Sequence, residues 1–329
     1  MAVLVTGGAG YIGAHTAQLL RQRGRDVVVY DSLELGRREA TLGAPLVVGD
    51  IADADLVKAT VAEHGIDAVV HFAAYKAAGE SVERPGKYFA TNVGKANALF
   101  DAVQEAGVRH LVFSSTCAVY GTPQSLPVDE AHPFGPESPY GESKRMAETM
   151  LGWYDRAHGL RSVSLRYFNA AGASASGLIG EDWTVTLNLV PLVMKAALGR
   201  IPELTVFGTD YPTRDGTGVR DYVHVDDLAD AHVRALEYLE DGGETTAINL
   251  GTGVGSTVRE VVDAARAASG VDIPTVDAPR RPGDPAAVYG DNRRAQELLG
   301  WRADRNLDTI VASAWQWHST HPDGYDTPG

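Results

Sequence analysis

The chain of 329 residues contains one cysteine, Cys117, so no disulfide can form within it. A lone thiol fits a reducing compartment, and a cytoplasmic protein is expected. No apolar run approaches the ~20 residues that span a bilayer. The start, MAVLVTGGAG, has neither the basic leader nor the long apolar stretch of a signal peptide. Basic residues are scarce too: 29 Lys and Arg stand against 43 Asp and Glu, a net charge of -14. That balance disfavours nucleic acid and anionic membranes as partners, and an anionic ligand would need locally placed Arg and Lys. Repeats and low-complexity tracts are absent. What is present is ordinary globular composition, 44% hydrophobic and 22% charged, in a length suited to about two domains or one large α/β unit.

Four glycines punctuate the first half alike. Gly24, Gly65, Gly107 and Gly159 each follow a helix-like stretch and precede a short apolar strand (VVVY, IDAVVHF, VRHLVF, LRSVSLRYF). A glycine just past a helix end adopts the left-handed conformation without steric cost. Continuous Val/Leu-rich strands suit a parallel sheet covered on both faces. The alternation predicts a doubly wound, parallel Rossmann-type α/β fold over residues 1–169, joined by about 221–252. Residues 170–220, rich in Gly, Pro, Ser and Thr with a helix near 188–199, and 253–329, with short helices and Pro-rich turns, predict a smaller C-terminal α/β domain.

VLVTGGAGYIG reads as strand, glycine loop and helix. Gly7 permits the tight turn, Gly10 lets a pyrophosphate approach the backbone, and Gly13 allows close helix–sheet packing. The helix start adds N–H donors and a positive dipole end. Asp31 closes the next strand, where a carboxylate takes ribose hydroxyls and repels a 2′-phosphate. NAD is therefore favoured over NADP, with Arg37 and Arg38 close by as the contrary feature. Asp50 ends a third strand and is a candidate for the adenine edge. In SPYGESKRMAE, Ser138 suits an N-cap and Pro139 the first helical position. Tyr140 and Lys144 then share one helix face, and an adjacent ammonium favours the phenolate. Thr116, in FSSTCAVYG, stands where a hydroxyl can bridge that tyrosine and a substrate oxygen. No metal is expected: His318 and His321 lie in a Pro/Gly-containing tail without a third ligand. Asp221, Asp226 and Asp227 read as helix-capping residues that also hold Arg220.

These motifs together resemble the extended short-chain dehydrogenase/reductase family. Longer matching segments, HFAAYKAAGESVERP, LRYFNAAGA, FGTDYPTRDGTGVRDYVHVDDLADAHV, NLGTGVGSTV and APRRPGDPA, extend the resemblance to about residue 291. It implies a UDP-hexose substrate, bound NAD, and reversible inversion at C4 of UDP-galactose and UDP-glucose through a transient 4-keto sugar. Tyr140 would be the base, Lys144 its modulator and Thr116 the hydroxyl partner. Tyr11 and Ile12 would lie on the pyrophosphate loop, Asp31 and Ser32 at the adenosine ribose, and Asp50 and Ile51 at adenine. Phe72, Ala73, Ala74, Lys76 and Asn92 would flank the cofactor, and Phe168 the nicotinamide. Lys76, Thr116 and Tyr140 would also meet the substrate. Asn169, Asn188, Val206, Phe207, Arg220, Arg281 and Asp284 match positions that hold the UDP-sugar. A homodimer through helices near 92–106 and 139–157 is implied as well.

Three departures stand out. Thr116 replaces a common serine. An asparagine position near the cofactor reads Thr91, with Asn92 following. Val288 stands where relatives confined to UDP-glucose and UDP-galactose carry a bulky tyrosine, which implies possible use of UDP-GalNAc and UDP-GlcNAc, unless Tyr289 refills the space. Sugar-nucleotide dehydratases of the family place an acid and a base directly after the matching threonine; here those places are Cys117 and Ala118, and alanine cannot move a proton. Another NAD-dependent sugar-nucleotide oxidoreductase, or a catalytically silent NAD-binding regulator, is the alternative.

Overall fold

The computed structural model describes residues 2–183, 188–281 and 283–326. Its strands are β1 (Ala2–Thr6), β2 (Asp26–Asp31), β3 (Leu46–Val48), β4 (Ile66–His71), β5 (His110–Ser114), β6 (Arg161–Tyr167), β7 (Asn169–Ala171), β8 (Leu204–Phe207), β9 (Val219–Arg220), β10 (Tyr222–His224), β11 (Thr246–Leu250), β12 (Ser256–Thr257), β13 (Thr275–Ala278) and β14 (Ala287–Val288). The α-helices are α1 (Tyr11–Gln22), α2 (Ala54–His64), α3 (Ala78–Glu83), α4 (Pro85–Phe89), α5 (Ala96–Glu105), α6 (Pro139–His158), α7 (Leu189–Ala197), α8 (Val225–Glu240), α9 (Val258–Ser269), α10 (Arg293–Leu299) and α11 (Leu307–Thr320).

Seven strands form one sheet in the order β11-β6-β5-β4-β1-β2-β3, every neighbouring pair parallel. The order reverses between β1 and β4, which opens a crevice at their carboxyl ends. Strand periodicity divides the core. Val3, Val5, Val27 and Val29 face one side with Leu20 of α1 and Leu228, Leu236 and Leu239 of α8. Leu4, Val28 and Tyr30 face the other with Val57 of α2, Leu99 and Phe100 of α5, and Leu151 of α6. The four punctuating glycines all have positive φ, from 59° at Gly65 to 93° at Gly107.

The remaining strands form small sheets: β10 with β7, β13 with β8, and β12-β9-β14. Over them α7, α9 and α11 share a third core with Val193, Met194, Val261, Ile310 and Val311. Two expectations need correction. The C-terminal helices are not all short: α9 has 12 residues and α11 has 14, because each carries an unbroken apolar stripe into that core. The helix expected from residue 92 is interrupted at its start, where Ala90–Lys95 winds as a π-helix before α5 begins.

Phe100 is completely buried and packs edge-on against His71, Phe113 and Tyr154. Phe100→Ala is expected to cost about 3–5 kcal/mol, read as a fall in the urea midpoint at unchanged slope. Leu298→Ala, at a 37% exposed position, is expected to stay within about 0.5 kcal/mol. Equal losses at the two sites would contradict the packing described.

Candidate functional site

The crevice at the sheet reversal is built by close backbone approach. A Cβ on Gly7 would lie 2.6 Å from the Ala73 nitrogen, and one on Gly13 would lie 2.3 Å from the Gly7 carbonyl oxygen. Only glycine lets the β1 loop, the β4 loop and α1 meet here. At Gly10 the only atom close to an added Cβ is the Gly7 oxygen, at 3.2 Å. Gly10 is the N-cap of α1; it brings no side-chain cap, and the first turn has no acidic residue. The first-turn N–H groups therefore have no partner within the helix and present a positive dipole end. Tyr11 and Ile12 lie in this turn, with the Tyr11 phenol donating to the Gly172 carbonyl at 2.6 Å.

Asp31 is 7% exposed. Its carboxylate accepts from the Ala9 N–H at 3.0 Å and the Leu33 N–H at 2.8 Å. Burial nevertheless raises its pKa, with those two N–H groups opposing. Ser32 follows and accepts from the Glu34 N–H at 3.4 Å. Arg37, the feature set against NAD, donates to Asp182. Asp50 is exposed and pairs with Lys95; Ile51 beside it is buried. Phe72 lies 4.6 Å from the His232 ring, and the Lys76 ammonium reaches Glu181 at 3.6 Å. The donor set thus fits a dinucleotide: open N–H groups and a lysine for a pyrophosphate, and a carboxylate at the second strand end for a ribose. The Asn92 carboxamide is engaged by protein, accepting from the Tyr75 N–H at 3.0 Å and donating to the Tyr75 carbonyl at 3.0 Å and the Ser143 hydroxyl at 3.1 Å. It ties the Phe72–Lys76 loop to α6.

The start of α6 follows the sequence reading. The Ser138 hydroxyl caps the Gly141 N–H at 3.2 Å, and Pro139 is the first helical residue. The Tyr140 N–H donates to the Ser81 hydroxyl at 3.1 Å. Burial pushes the Tyr140 phenol well above its usual range and Tyr167 adds to the rise; a hydrogen bond with the Thr116 side chain opposes it. Thr116 is itself a cap, accepting from the Ala118 N–H at 3.2 Å. Lys144 is 3% exposed. It donates to the Ser114 carbonyl at 2.9 Å and lies 4.8 Å from the Phe113 ring centre. Burial drives this ammonium down to about 7, against the opposing field of Glu148. Thr116, Tyr140 and Lys144 are thus together. Cys117 is beside them, its thiol pushed up to about 12 by burial and then by Asp221.

A second cavity, of about 360 Å³, is lined by Asn169, Asn188, Phe207, Arg220, Arg281 and Asp284, together with Tyr211 and Thr205. Arg220 donates to the carbonyls of Val219 and Pro285, both at 2.9 Å, and lies 3.6 Å from Asp284. Arg281 stacks 3.9 Å over the Phe207 ring. Val206 points the other way on β8 and is buried. Val288 pairs with Arg220 in β14–β9, and Phe168 packs on Gly290, where a Cβ would lie 2.3 Å from its ring.

The three aspartates are not grouped as the sequence suggested. Asp221 is fully buried and caps nothing on α8. Its carboxylate accepts from the Thr252 N–H at 3.0 Å, the Thr252 hydroxyl at 2.7 Å and the Gly290 N–H at 3.0 Å. Its carbonyl takes both the backbone and the side-chain N–H of Asn169 at 3.0 Å. The α8 cap is His224, whose ring accepts from the Asp226 N–H at 3.0 Å. Asp227 pairs with Arg305, not Arg220. His318 and His321 stack separately, on Trp183 and Trp317.

Sequence reasoning passes over Ser81, Ser143 and Glu148, and takes Asp221 for a helix cap. Only Glu148 has a local signal, standing four residues beyond Lys144 on the same face. The others are recognised through contacts remote in sequence.

Residues 3–251 match the family described as NAD dependent epimerase/dehydratase. A UDP-glucose 4-epimerase of Lactobacillus helveticus is 45% identical over 328 residues, covering 99% of each chain. The crystal structure of a Stenotrophomonas maltophila UDP-glucose-4-epimerase, with bound NAD and formylated UDP-arabinopyranose, is 44% identical at a TM-score of 0.95, covering 98% of this chain and 99% of that one. The UDP-Glc/GlcNAc 4-epimerase of Campylobacter jejuni is 37% identical at a TM-score of 0.86, covering 97% of this chain and 99% of that one. A pyrophosphate-type crevice, a buried Tyr–Lys pair and a full-length match coincide in one molecule, and the chain belongs to the NAD dependent epimerase/dehydratase family.

Proposed function

We propose that this protein is a UDP-glucose 4-epimerase that interconverts UDP-galactose and UDP-glucose with retained NAD. The observation that carries the reading is the cluster of Thr116, Tyr140 and Lys144, in a chain 45% identical end to end to an enzyme of that name. The division of labour follows the chain: residues 1–169 with about 221–252 hold NAD, and 170–220 with 253–329 hold the UDP-sugar. Support comes from β11 joining the large sheet and α8 covering α1.

NAD, when bound in the crevice, would supply reversible hydride transfer at the sugar C4. The Tyr140 phenolate removes the C4 hydroxyl proton and later gives it back. The Lys144 ammonium favours the phenolate, because an adjacent positive charge offsets the burial that raises the phenol. The Thr116 hydroxyl holds the sugar oxygen in line with Tyr140. Gly7, Gly10, Tyr11, Ile12 and Gly13 form the pyrophosphate cradle; Asp31 and Ser32 take the ribose, and Asp50 and Ile51 the adenine. Phe72, Ala73, Ala74 and Lys76 flank the cofactor ribose and phosphates, Phe168 approaches the nicotinamide side, and Asn92 meets the cofactor from the segment that also sets the Phe72–Lys76 loop. Asn169, Asn188 and Phe207 hold the UDP-sugar from the cavity wall, with Val206 on the buried side of the same strand as Phe207. Arg220 and Arg281 neutralise the UDP pyrophosphate by charge-assisted hydrogen bonds, and Asp284 orients Arg220. The firm nucleotide grip leaves the keto sugar free to turn over.

We also propose that Val288 leaves room beside the sugar 2-substituent and admits N-acetylhexosamines, as the small side chain and the kinship with a Glc/GlcNAc epimerase suggest. A cytoplasmic homodimer completes the reading, through α5 and α6. Met146 and Trp153 lie on one α6 face with exposures of 38% and 62%, an apolar surface suited to a partner copy.

Proton NMR of UDP-galactose with catalytic enzyme and no added NAD should show UDP-glucose growing to a constant ratio. Tyr140→Phe should lower kcat by about 10²–10⁴ while the purified protein keeps its bound dinucleotide; unimpaired turnover would refute the assignment. UDP-GalNAc should be converted too, and Val288→Tyr should depress that activity at least tenfold more than the UDP-galactose activity. By light scattering the protein should have twice the chain mass, and Trp153→Glu should shift it toward the monomer.

A further inference from the structure

Three consecutive residues at the end of β5 each meet one turn of α6. The Thr116 side chain stands beside that of Tyr140. The Ser114 carbonyl accepts from Lys144 at 2.9 Å. The Ser115 hydroxyl donates to Glu148 at 2.5 Å. Tyr140, Lys144 and Glu148 are spaced by four and share one helix face. Glu148 is in turn gripped by Arg166 of β6, through Nε at 3.0 Å and 3.2 Å and through a terminal nitrogen at 2.5 Å. The side chains are only 9% and 5% exposed. Arg166 also donates to the Tyr120 hydroxyl at 2.7 Å, which donates to Asn249 of β11 at 2.7 Å.

We propose that Glu148 is a positioning residue for the Tyr140–Lys144 pair: its buried carboxylate fixes α6 against the ends of β5 and β6 and supplies the negative charge that keeps Lys144 protonated. This rests on the epimerase reading only for the meaning of turnover; the charge balance stands on contacts within the chain. Glu148 is the acidic group that opposes the burial of Lys144. The other groups around the pair do not replace it. His71 of β4 is held neutral by its own burial and by Lys144, with its pKa near 3. Tyr167 of β6, Tyr88 of α4 and Cys117 after β5 are neutral at ordinary pH, their protons held by burial. Phe113 offers a ring. Among the described residues of this cluster, Arg166 is the cation, and it is paired with Glu148.

Two neutralising changes must therefore act in opposite senses. In Glu148→Gln, Lys144 is deprived of the negative charge one helical turn away and loses its proton more easily. In Arg166→Met, Glu148 is left uncompensated and holds that proton more firmly. A strut that merely packs would weaken turnover in both variants without this reversal.

The test is the pH dependence of kcat for UDP-galactose turnover by the NAD-loaded protein. Alongside it, tyrosinate absorbance is titrated without substrate, with Tyr140→Phe as the blank. In Glu148→Gln the alkaline limb should move to lower pH by about one unit and kcat should fall about tenfold; in Arg166→Met the limb should move to higher pH. The Tyr140 titration should move up in Glu148→Gln, because its cation is lost. Limbs that stay in place, or move together, would overturn the proposal. If a single variant does not fold, the double variant leaves no uncompensated charge; its alkaline limb and Lys144-dependent tyrosinate titration should be displaced in the same direction as in Glu148→Gln but by less, and unmoved values would overturn the proposal. If the wild-type protein turns over no UDP-galactose, the epimerase reading fails alone, and the tyrosinate titrations still decide the role of Glu148.

Discussion

The site turns on an ammonium buried without a carboxylate directly against it. Taking an ion of this size out of water costs several kcal/mol even after relaxation, and Lys144 meets that cost with a carbonyl, an aromatic ring and a charge one helical turn away. A carboxylate in direct contact would hold the lysine charged, but it would also cancel the field that a neighbouring phenolate requires. Placing the negative charge at Glu148 and locking it to Arg166 keeps the lysine protonated and leaves its field directed toward Tyr140. The i, i+4, i+8 spacing on α6 and the three successive contacts from β5 follow from this balance.

The same constraint explains why the sheet order matters to the chemistry. β4 and β5 are neighbours in the sheet, so the loop after β4 and the strand end that receives α6 emerge side by side at the carboxyl edge. Asn92 joins them, one carboxamide bridging Tyr75 of that loop and Ser143 of α6. It is carried by the π-helical segment, whose extra residue per turn shifts the side chain out of the register of a regular α-helix. The loop after β4 is thereby tied to the turn of α6 that carries Tyr140. On the other side, the glycine contacts of β1 with β4 leave no slack between the glycine loop after β1 and the same loop.

Features determined by a few neighbouring residues were legible in the sequence. The four glycine stops, the Ser138–Pro139 helix start and the glycine loop are each imposed by local backbone sterics. The Val-rich strands were legible because burial on both faces leaves a continuous apolar run. The small sheets were not: β9, β12 and β14 have two residues each, too short for any periodicity. Nor was the role of Asp221. Nothing near it announces that Thr252 and Gly290 will present their N–H groups to it, and its nearness to α8 suggested a cap that His224 provides instead. Asn92 was found by resemblance, but the direction of its carboxamide depends on Tyr75 and Ser143, which only the fold brings near.

Arginine pairing supplies the last physical distinction. Most described arginines near carboxylates are closely paired: Arg166 with Glu148, Arg305 with Asp227, Arg214 with Glu260 and Arg280 with Asp210. Arg220 is held differently, by two carbonyl oxygens at 2.9 Å with Asp284 only at 3.6 Å, and Arg281 is supported by an aromatic face. Carbonyls and rings orient a guanidinium without cancelling its charge. In a chain with a net charge of -14, the cavity thus keeps uncancelled positive charge on its wall. Asp221, buried beneath Arg220 and tied to Asn169, Thr252 and Gly290, keeps the walls of this cavity in register with the crevice where Tyr140 stands. Positive charge is held in place at one end, and a buried phenol shares a helix face with a buried ammonium at the other.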